Sequence, residues 1–374
     1  SAQISMVAAE DLPVKLAISP HVARPRAVYQ ITITAKSELL VGGGTLEQAL
    51  SPFDIPVAKI PHGDELVPYI PGSTLKGLLR SAAEEALRAA ASRCSVALSE
   101  VLRNINKDIT DELVDKLVLK LMKQFVDIDI RPSAIRNAQG ANLYEKVVNT
   151  YGDAVKDILE RLRVTPAACN PVVEGLACEL PIRDYKKTYL TALAKAIGGG
   201  KFLYPCPVCR TFGAPGYASK VVVTSAYPYG RLGKDYYVLT RRHVAIDRYT
   251  GAAAEGKLFE VEYVTPGAQF VGYLLLLGEP PRPQKCTIDE IVECWLSGRP
   301  PDCDVEETII EKALEAAANA MLGRRKSTGM GQVEIESKKI CERGQPTQQV
   351  QCPAESKPLN QLCAWINNTC TGLT

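Results

Sequence analysis

At 374 residues and 46% hydrophobic, the chain is long enough to bury one elaborated domain or two. Its 44 basic and 42 acidic side chains leave a net charge of +2, which excludes a uniformly basic protein. Any grip on a polyanion must come from local clusters such as Arg241-Arg242 and Arg324-Arg325-Lys326. No apolar run reaches membrane-spanning length and the N-terminus does not read as a leader, so the cytoplasm is the expected compartment and no membrane partner is expected.

Residues 1–28 carry Pro13, Pro20 and Pro25 without periodicity and read as an extended arm. From Tyr29 to Lys36 the pattern alternates, with Tyr29, Ile31, Ile33 and Ala35 on one face, and predicts a half-buried strand. A long loop through Gly42-Gly43-Gly44 and Phe53-Asp54-Ile55-Pro56 follows, and loops of that length commonly carry function. The run Tyr69 to Arg80 then passes from a rigid turn into a helix. Pro71-Gly72 breaks the preceding strand and Ser73 or Thr74 can cap. Leu75, Leu78, Leu79, Ala82, Ala83, Ala86 and Leu87 form the buried stripe, while Lys76 and Arg80, four apart, share another face. Orphan amides at such a helix start, the helix dipole and two cations make anion-binding geometry. A nucleotide P-loop is excluded, because no GxxxxGK[ST] string occurs.

Residues 92–200 turn helical. One stripe is Leu113, Val114, Leu117, Val118, Leu121, Met122 and Phe125, and another is Tyr144, Val147, Val148, Tyr151, Val155, Ile158, Leu159 and Leu162. This predicts an inserted helical subdomain closed by Gly198-Gly199-Gly200. Strands resume at Lys220 to Ala226, Tyr236 to Asp247, Lys257 to Val264 and Gln269 to Leu277. Two helices follow, one opened by the capping-box pair Thr287 and Glu290, the other carrying Val305, Ile309, Ile310, Leu314, Ala317 and Met321. A last strand runs from Gln332 to Glu336. Without the insertion and one extra hairpin, the order is strand, helix, strand, strand, helix, strand. That is an α+β, ferredoxin-like core over residues 29–340, the framework also used by the RNA recognition motif. The aromatic signature with which that motif stacks bases is absent, so binding must rest on loops and backbone phosphates.

Gly323 to Gly331 joins a helix to the final strand and mixes three glycines with Arg324, Arg325, Lys326, Ser327 and Thr328. Glycines let backbone approach a phosphate, and the cations supply charge whose effect weakens with salt. Cys206-Pro207-Val208-Cys209 is half a zinc site, which Cys169 and Cys178 complete as a four-cysteine tetrahedron; a redox dithiol is the rival. Twelve cysteines are many for a reducing cytosol. Cys341, Cys352, Cys363 and Cys370 crowd a polar tail, residues 341–374, where either four thiols or two bridges in one of three connectivities are open. Intracellular bridges are a habit of hyperthermophilic archaea.

The string Pro71-Gly72-Ser73-Thr74-Leu75-Lys76-Gly77-Leu78-Leu79-Arg80 resembles the PGSxxKGxxR signature of the RAMP superfamily, RNA-binding subunits of CRISPR effector complexes. The resemblance covers most of residues 29–340 and extends to the glycine-rich closing loop, with Ser327, Gly329 and Gly331, and to the Cys206 to Gly213 segment. Residues 241–270, with Ile246-Asp247-Arg248, Thr250-Gly251 and Val264 to Phe270, resemble the hairpin thumb of backbone-type subunits in type III complexes. The resemblance implies antiviral RNA-guided surveillance, with guide RNA (crRNA) and target RNA, other RAMP subunits and the large polymerase-like subunit as partners. It implies phosphate contacts from Ser73, Thr74, Lys76, Arg80, Arg242, Arg248, Lys257 and the closing loop. It also places Asp54 where such subunits keep the aspartate that cuts target RNA with a divalent metal, Mg or Mn. Two alternatives stand beside this reading: a non-catalytic capping subunit, and a stand-alone guide-processing endoribonuclease with His62 as base.

Overall fold

A computed structural model of the chain describes residues 25–42, 53–62, 64–105, 112, 115, 118–119, 142–165, 168–169, 178, 195–197, 205–215, 217–278, 284–299, 301–345, 350–353 and 356–373. In chain order the first elements are β1 (Pro25–Ala35), β2 (Lys59–His62), β3 (Glu65–Pro68), α1 (Gly72–Ala90), β4 (Val96–Ala97), α2 (Leu98–Arg103), α3 (Leu143–Tyr151), α4 (Asp153–Arg161) and β5 (Arg163–Val164). Then come α5 (Pro207–Phe212), β6 (Val221–Val223), β7 (Tyr227–Pro228), β8 (Val238–Ile246), β9 (Ala253–Val264) and β10 (Gln269–Leu277). The chain closes with α6 (Ile288–Ser297), α7 (Val305–Ala316), β11 (Asn319–Met321), β12 (Gln332–Glu342) and α8 (Lys357–Thr371). Two compact units result, one from Ala83–Lys220 with Arg282–Ile310, the other from Ala23–Ala82, Val221–Pro281 and Glu311–Thr374.

The second unit is built on an antiparallel sheet of order β11-β12-β1-β10-β6, with β7 also paired to β10. β1 behaves as its alternation dictates: Tyr29, Ile31, Ile33 and Ala35 are buried, and Gln30, Thr32 and Thr34 are half-exposed. It begins at Pro25, so Pro25 to Val28 belong to the sheet instead of the arm; residues 1–24 lie outside the described residues. β10 is buried at every position from Phe270 to Leu277, which requires cover on both faces. The cysteine-rich tail provides one of those covers. α8 packs Leu359, Ile366, Cys370 and Leu373 against Val28, Val271, Tyr273 and Leu275. Each such side chain contributes about 1.5–3 kcal/mol of burial, so the tail is part of the core and not a polar appendix. Nested disulfides, Cys341–Cys370 and Cys352–Cys363, fix it. Asn367 adds two bonds to the Val350 backbone, accepting from its N–H at 3.0 Å and donating to its carbonyl at 2.9 Å.

Between β1 and α1 the expected plain loop contains the β2–β3 hairpin. β8 and β9 form a separate hairpin whose register pairs His243 with Phe259 and Arg242 with Glu260. The capping box of Thr287 and Glu290 is formed, and α7 buries Val305, Ile309, Ile310 and Leu314 as its periodicity requires. Met321 leaves that stripe, because it belongs to β11.

In the first unit the second helical stripe folds as two helices, because Gly152, at φ 84°, breaks it between α3 and α4. Tyr144, Val147, Val155 and Leu159 are buried. Glu160 accepts from the Tyr144 hydroxyl and from Arg103, both at 2.7 Å, and ties α4 to α3 and α2. Of the first stripe Val118 is buried; Leu113, Val114, Leu117, Leu121, Met122 and Phe125 lie outside the described residues. A third disulfide, Cys286–Cys303, joins the segments leading into α6 and α7, and no sequence signal had singled it out. Among the described residues no helix is long and apolar enough to cross a membrane.

Candidate nucleic-acid interface

The start of α1 differs from the expected cap. Gly72 opens the helix because a Cβ there would strike the Val223 carbonyl and come within 2.9 Å of the Thr224 carbonyl carbon. Its N–H donates to Ser225 Oγ at 3.3 Å, and the Thr74 and Leu75 N–H groups donate to the Pro71 carbonyl at 2.9 and 3.3 Å. Ser73 and Thr74 therefore lie inside the first turn instead of capping it. Most of the amides expected to cradle an anion are already bonded. The candidate anion contacts are then side chains: Ser73 is exposed, and Thr74, Lys76 and Arg80 are half-buried. Burial, followed by the nearby Arg80 guanidinium, pulls the Lys76 pKa below its ordinary value.

The closing loop is shaped by close backbone approach. Gly323 and Gly331 have φ of 85° and 84°, and a Cβ on either would run into the carbonyl of Leu40 or of Leu322. Arg324 N–H donates to the Leu40 carbonyl and Gly331 N–H to the Glu38 carbonyl, at 2.9 and 2.8 Å, which seats the loop on the segment after β1. Arg324, Lys326, Ser327, Thr328 and Gly329 are exposed on the turn, and the Arg324 guanidinium lies over Gly42. Arg325 faces the other way. Its guanidinium is 4.9 Å above the Phe259 ring and 3.3 Å from His243 Nδ1.

The hairpin base is braced by charge pairs that sequence reasoning missed. Arg241 binds both oxygens of Glu38 and lies 5.2 Å over Tyr263, and Arg242 pairs with Glu260 at 2.7 Å. The buried carboxylate of Glu262 accepts from Val57 N–H at 3.1 Å and Lys59 Nζ at 2.6 Å, drawing the 53–59 loop onto β9. The β8–β9 register, unreadable without knowing the turn, would have revealed the Arg242–Glu260 pair alone. At the hairpin tip Asp247 accepts from the Tyr249 and Thr250 N–H groups, and Arg248 is exposed. Lys257 falls on β9, and its side chain lies outside the described residues.

Asp54 sits at this base. Ile55 bridges Val261 in parallel, and Asp54 Oδ2 accepts from Glu260 N–H at 2.8 Å, so the exposed carboxylate tethers its loop to β9. Among the described residues the one assembled group of three or more possible metal ligands is the cysteine tetrad, which does not include Asp54. Asp54 is therefore not part of a protein-built cluster of three or more ligands for Mg or Mn among the described residues. His62 closes the β2–β3 hairpin with Nε2 buried and without a hydrogen-bond partner.

In the first unit Cys169, Cys178, Cys206 and Cys209 are buried with their sulfurs all within 4.8 Å of one another. Cys169 and Cys209 sulfurs are 3.2 Å apart, and Cys206 N–H donates to Cys178 Sγ at 3.4 Å. Four thiolates around zinc at about 2.3 Å lie roughly 3.8 Å apart, so the cluster is of the right size to hold a metal. Hydrogen bonds from Cys169, then Cys178 and Cys209, draw the Cys206 thiol downward. Beside it the buried Glu306 pairs with Arg210 at 2.7 Å and with Lys220. Burial alone would raise its pKa, but the two cations hold it well below the usual carboxylate range. Its stabilisation is thus complete above the unfolded carboxylate value of about 4.3 and fades as pH falls through the depressed folded value. Glu306→Gln strands two half-buried cations and is expected to cost about 3 kcal/mol, read as a lower urea midpoint together with a flatter acid limb.

An α+β protein with an antiparallel sheet and cationic, glycine-shaped loops along one unit is thus defined. A family model described as the RAMP superfamily matches residues 32–334, and the chain belongs to that superfamily. Among solved structures, it is similar at 12% identity and a TM-score of 0.38 to a chain of a "Type IV-B CRISPR Complex", covering 86% of this chain and 95% of that one. A second similarity, also at 12% identity with a TM-score of 0.35, is to "Cryo-EM structure of the Type III-B Cmr-beta bound to cognate target RNA", over 84% of this chain and 61% of that one. No curated protein matches the sequence.

Proposed function

We propose that the chain is an RNA-binding RAMP subunit of a CRISPR effector complex, holding the guide strand by its backbone. The observation that carries this is the Lys76 and Arg80 pair, two half-buried cations of one unit close enough for the guanidinium to lower the lysine pKa, a concentration of positive charge that suits a phosphate. The exposed Arg324, Lys326 and Ser327 turn, in the same unit, offers further contacts. Sheet order supports a ferredoxin-like core: with β12, β1, β10 and β6 as its strands, the last lies beside the first, followed by the third and second. Other RAMP subunits, the large polymerase-like subunit and target RNA are the proposed partners, and zinc the proposed occupant of the cysteine tetrad. A salt titration tests the core of this reading. Log affinity for single-stranded RNA should fall linearly with log salt with a slope of about −0.7 per phosphate contact; a flat response would refute it.

Target cleavage by Asp54 is the finer part of the proposal, supported by the exposure of its carboxylate at the hairpin base. In this role it orients the attacking ribose 2′-hydroxyl, which confines cutting to RNA. Asp54→Asn keeps an acceptor for Glu260 N–H and removes the charge. Cleavage in the assembled complex is expected to drop at least about 100-fold, a base-catalysis magnitude, with RNA affinity unchanged. Retained cleavage would leave Asp54 as a loop tether in a capping subunit. The buried Nε2 of His62 counts against the guide-processing alternative.

A further inference from the structure

Arg325 is the one non-glycine residue with positive φ, 59°, among the described residues. Such a conformation is strained for a residue with a side chain and persists where the surroundings over-determine it. Here they do: the guanidinium lies 4.9 Å over Phe259 and 3.3 Å from His243 Nδ1, while His243 stacks on Phe259 with centroids 5.4 Å apart. We infer that Arg325 is a positioning residue, a strut that fixes the closing turn to the β8–β9 hairpin so that the exposed cations of the turn and the hairpin hold one RNA strand as a single body. The strut is a property of the folded chain alone; only its effect on a bound strand rests on the RNA reading above.

The chemistry is specific to arginine at this site. A guanidinium only donates, so His243 must accept through Nδ1 and carry its single proton on Nε2. A planar cation can stack on Phe259 and still reach His243, whereas a lysine ammonium is a point charge. The charged groups facing His243 are Arg325 from the turn, Arg241 from its own strand and Glu38 from the segment after β1. Burial first, then the two arginines against one glutamate, keep the imidazole neutral below its ordinary range. Protonation would remove the acceptor and set cation against cation, releasing the strut at acidic pH. Arg325 is thereby reassigned from the phosphate contacts, which pass to Arg324 and Lys326.

Hydrogen exchange on the full chain without RNA tests the strut. Arg325→Gly keeps the backbone conformation free of strain, and it should raise exchange about tenfold both in residues 240–246 and 257–262 and in the turn Lys326–Thr328, with no rescue by Arg325→Lys. Protection in the parent chain should fall on acidification, and Arg325→Gly should abolish that pH dependence. With RNA, the salt slope of Arg325→Gly should match the parent, while Arg324→Ala should reduce it by about 0.7. Unchanged hairpin exchange, or a slope reduced as in Arg324→Ala, overturns the assignment. A chain that binds no RNA would defeat the proposed function and still let the exchange data decide the strut.

Discussion

Changing Lys76 and Arg80 together to Gln is expected to lower affinity for single-stranded RNA by about 100-fold, at roughly 1.5 kcal/mol per lost charge-assisted phosphate contact. The salt slope should shrink by about 1.4 at the same time. Lys76 adds a pH signature. Its pKa is already lowered by burial and by Arg80, so in the free protein the ammonium is lost below the ordinary lysine range. Affinity should therefore decline as pH rises into that lowered range, with a proton taken up on binding. Lys76→Arg, which stays charged, should remove the decline. Fluorescence anisotropy between about pH 7 and 10 reads both effects; undiminished binding by the double variant would end the proposal.

The second large effect concerns the cysteine tetrad. Purified chain should carry about one zinc, and Cys206→Ser or a strong chelator should remove it. Structural zinc contributes about 10–16 kcal/mol in isolated finger peptides, so loss of the metal should unfold Cys169, Cys178 and their surroundings, seen as a large fall in melting temperature. Cobalt substitution should give the absorption of a tetrahedral tetrathiolate. Four freely titrating thiols in metal-free, fully stable protein would exclude the site.

Where one face of an element is buried, the sequence is enough: β1, α6 and α7 lie where period and capping chemistry place them, within a few residues. The run Val271 to Leu277 also carried an unused signal. A strand apolar on both faces needs two covers, and the second is α8, which its Gln, Asn and Thr content disguises as tail. Local rules failed where backbone meets backbone across long separations. Gly72 opens α1, with Ser73 and Thr74 inside its first turn, because Val223 stands against it, 151 positions along the chain. The Cys tetrad was legible from the CxxC pair and its upstream partners, whereas Cys286–Cys303 was not, since neither residue lies in a motif. The inward turn of Arg325 is equally invisible in a string of three cations, because it depends on a cross-strand pair of the hairpin.

The stapled C-terminal helix has a consequence for what such a subunit can discriminate. Tyr273, an aromatic ring of β10 on that side, is 1% exposed beneath it, so this ring offers no surface for a nucleotide letter to lie on. In the proposed role, a strand held by ammonium, guanidinium and hydroxyl groups at its phosphates is held regardless of its message, and one unchanging polypeptide would serve an archive of differing transcripts.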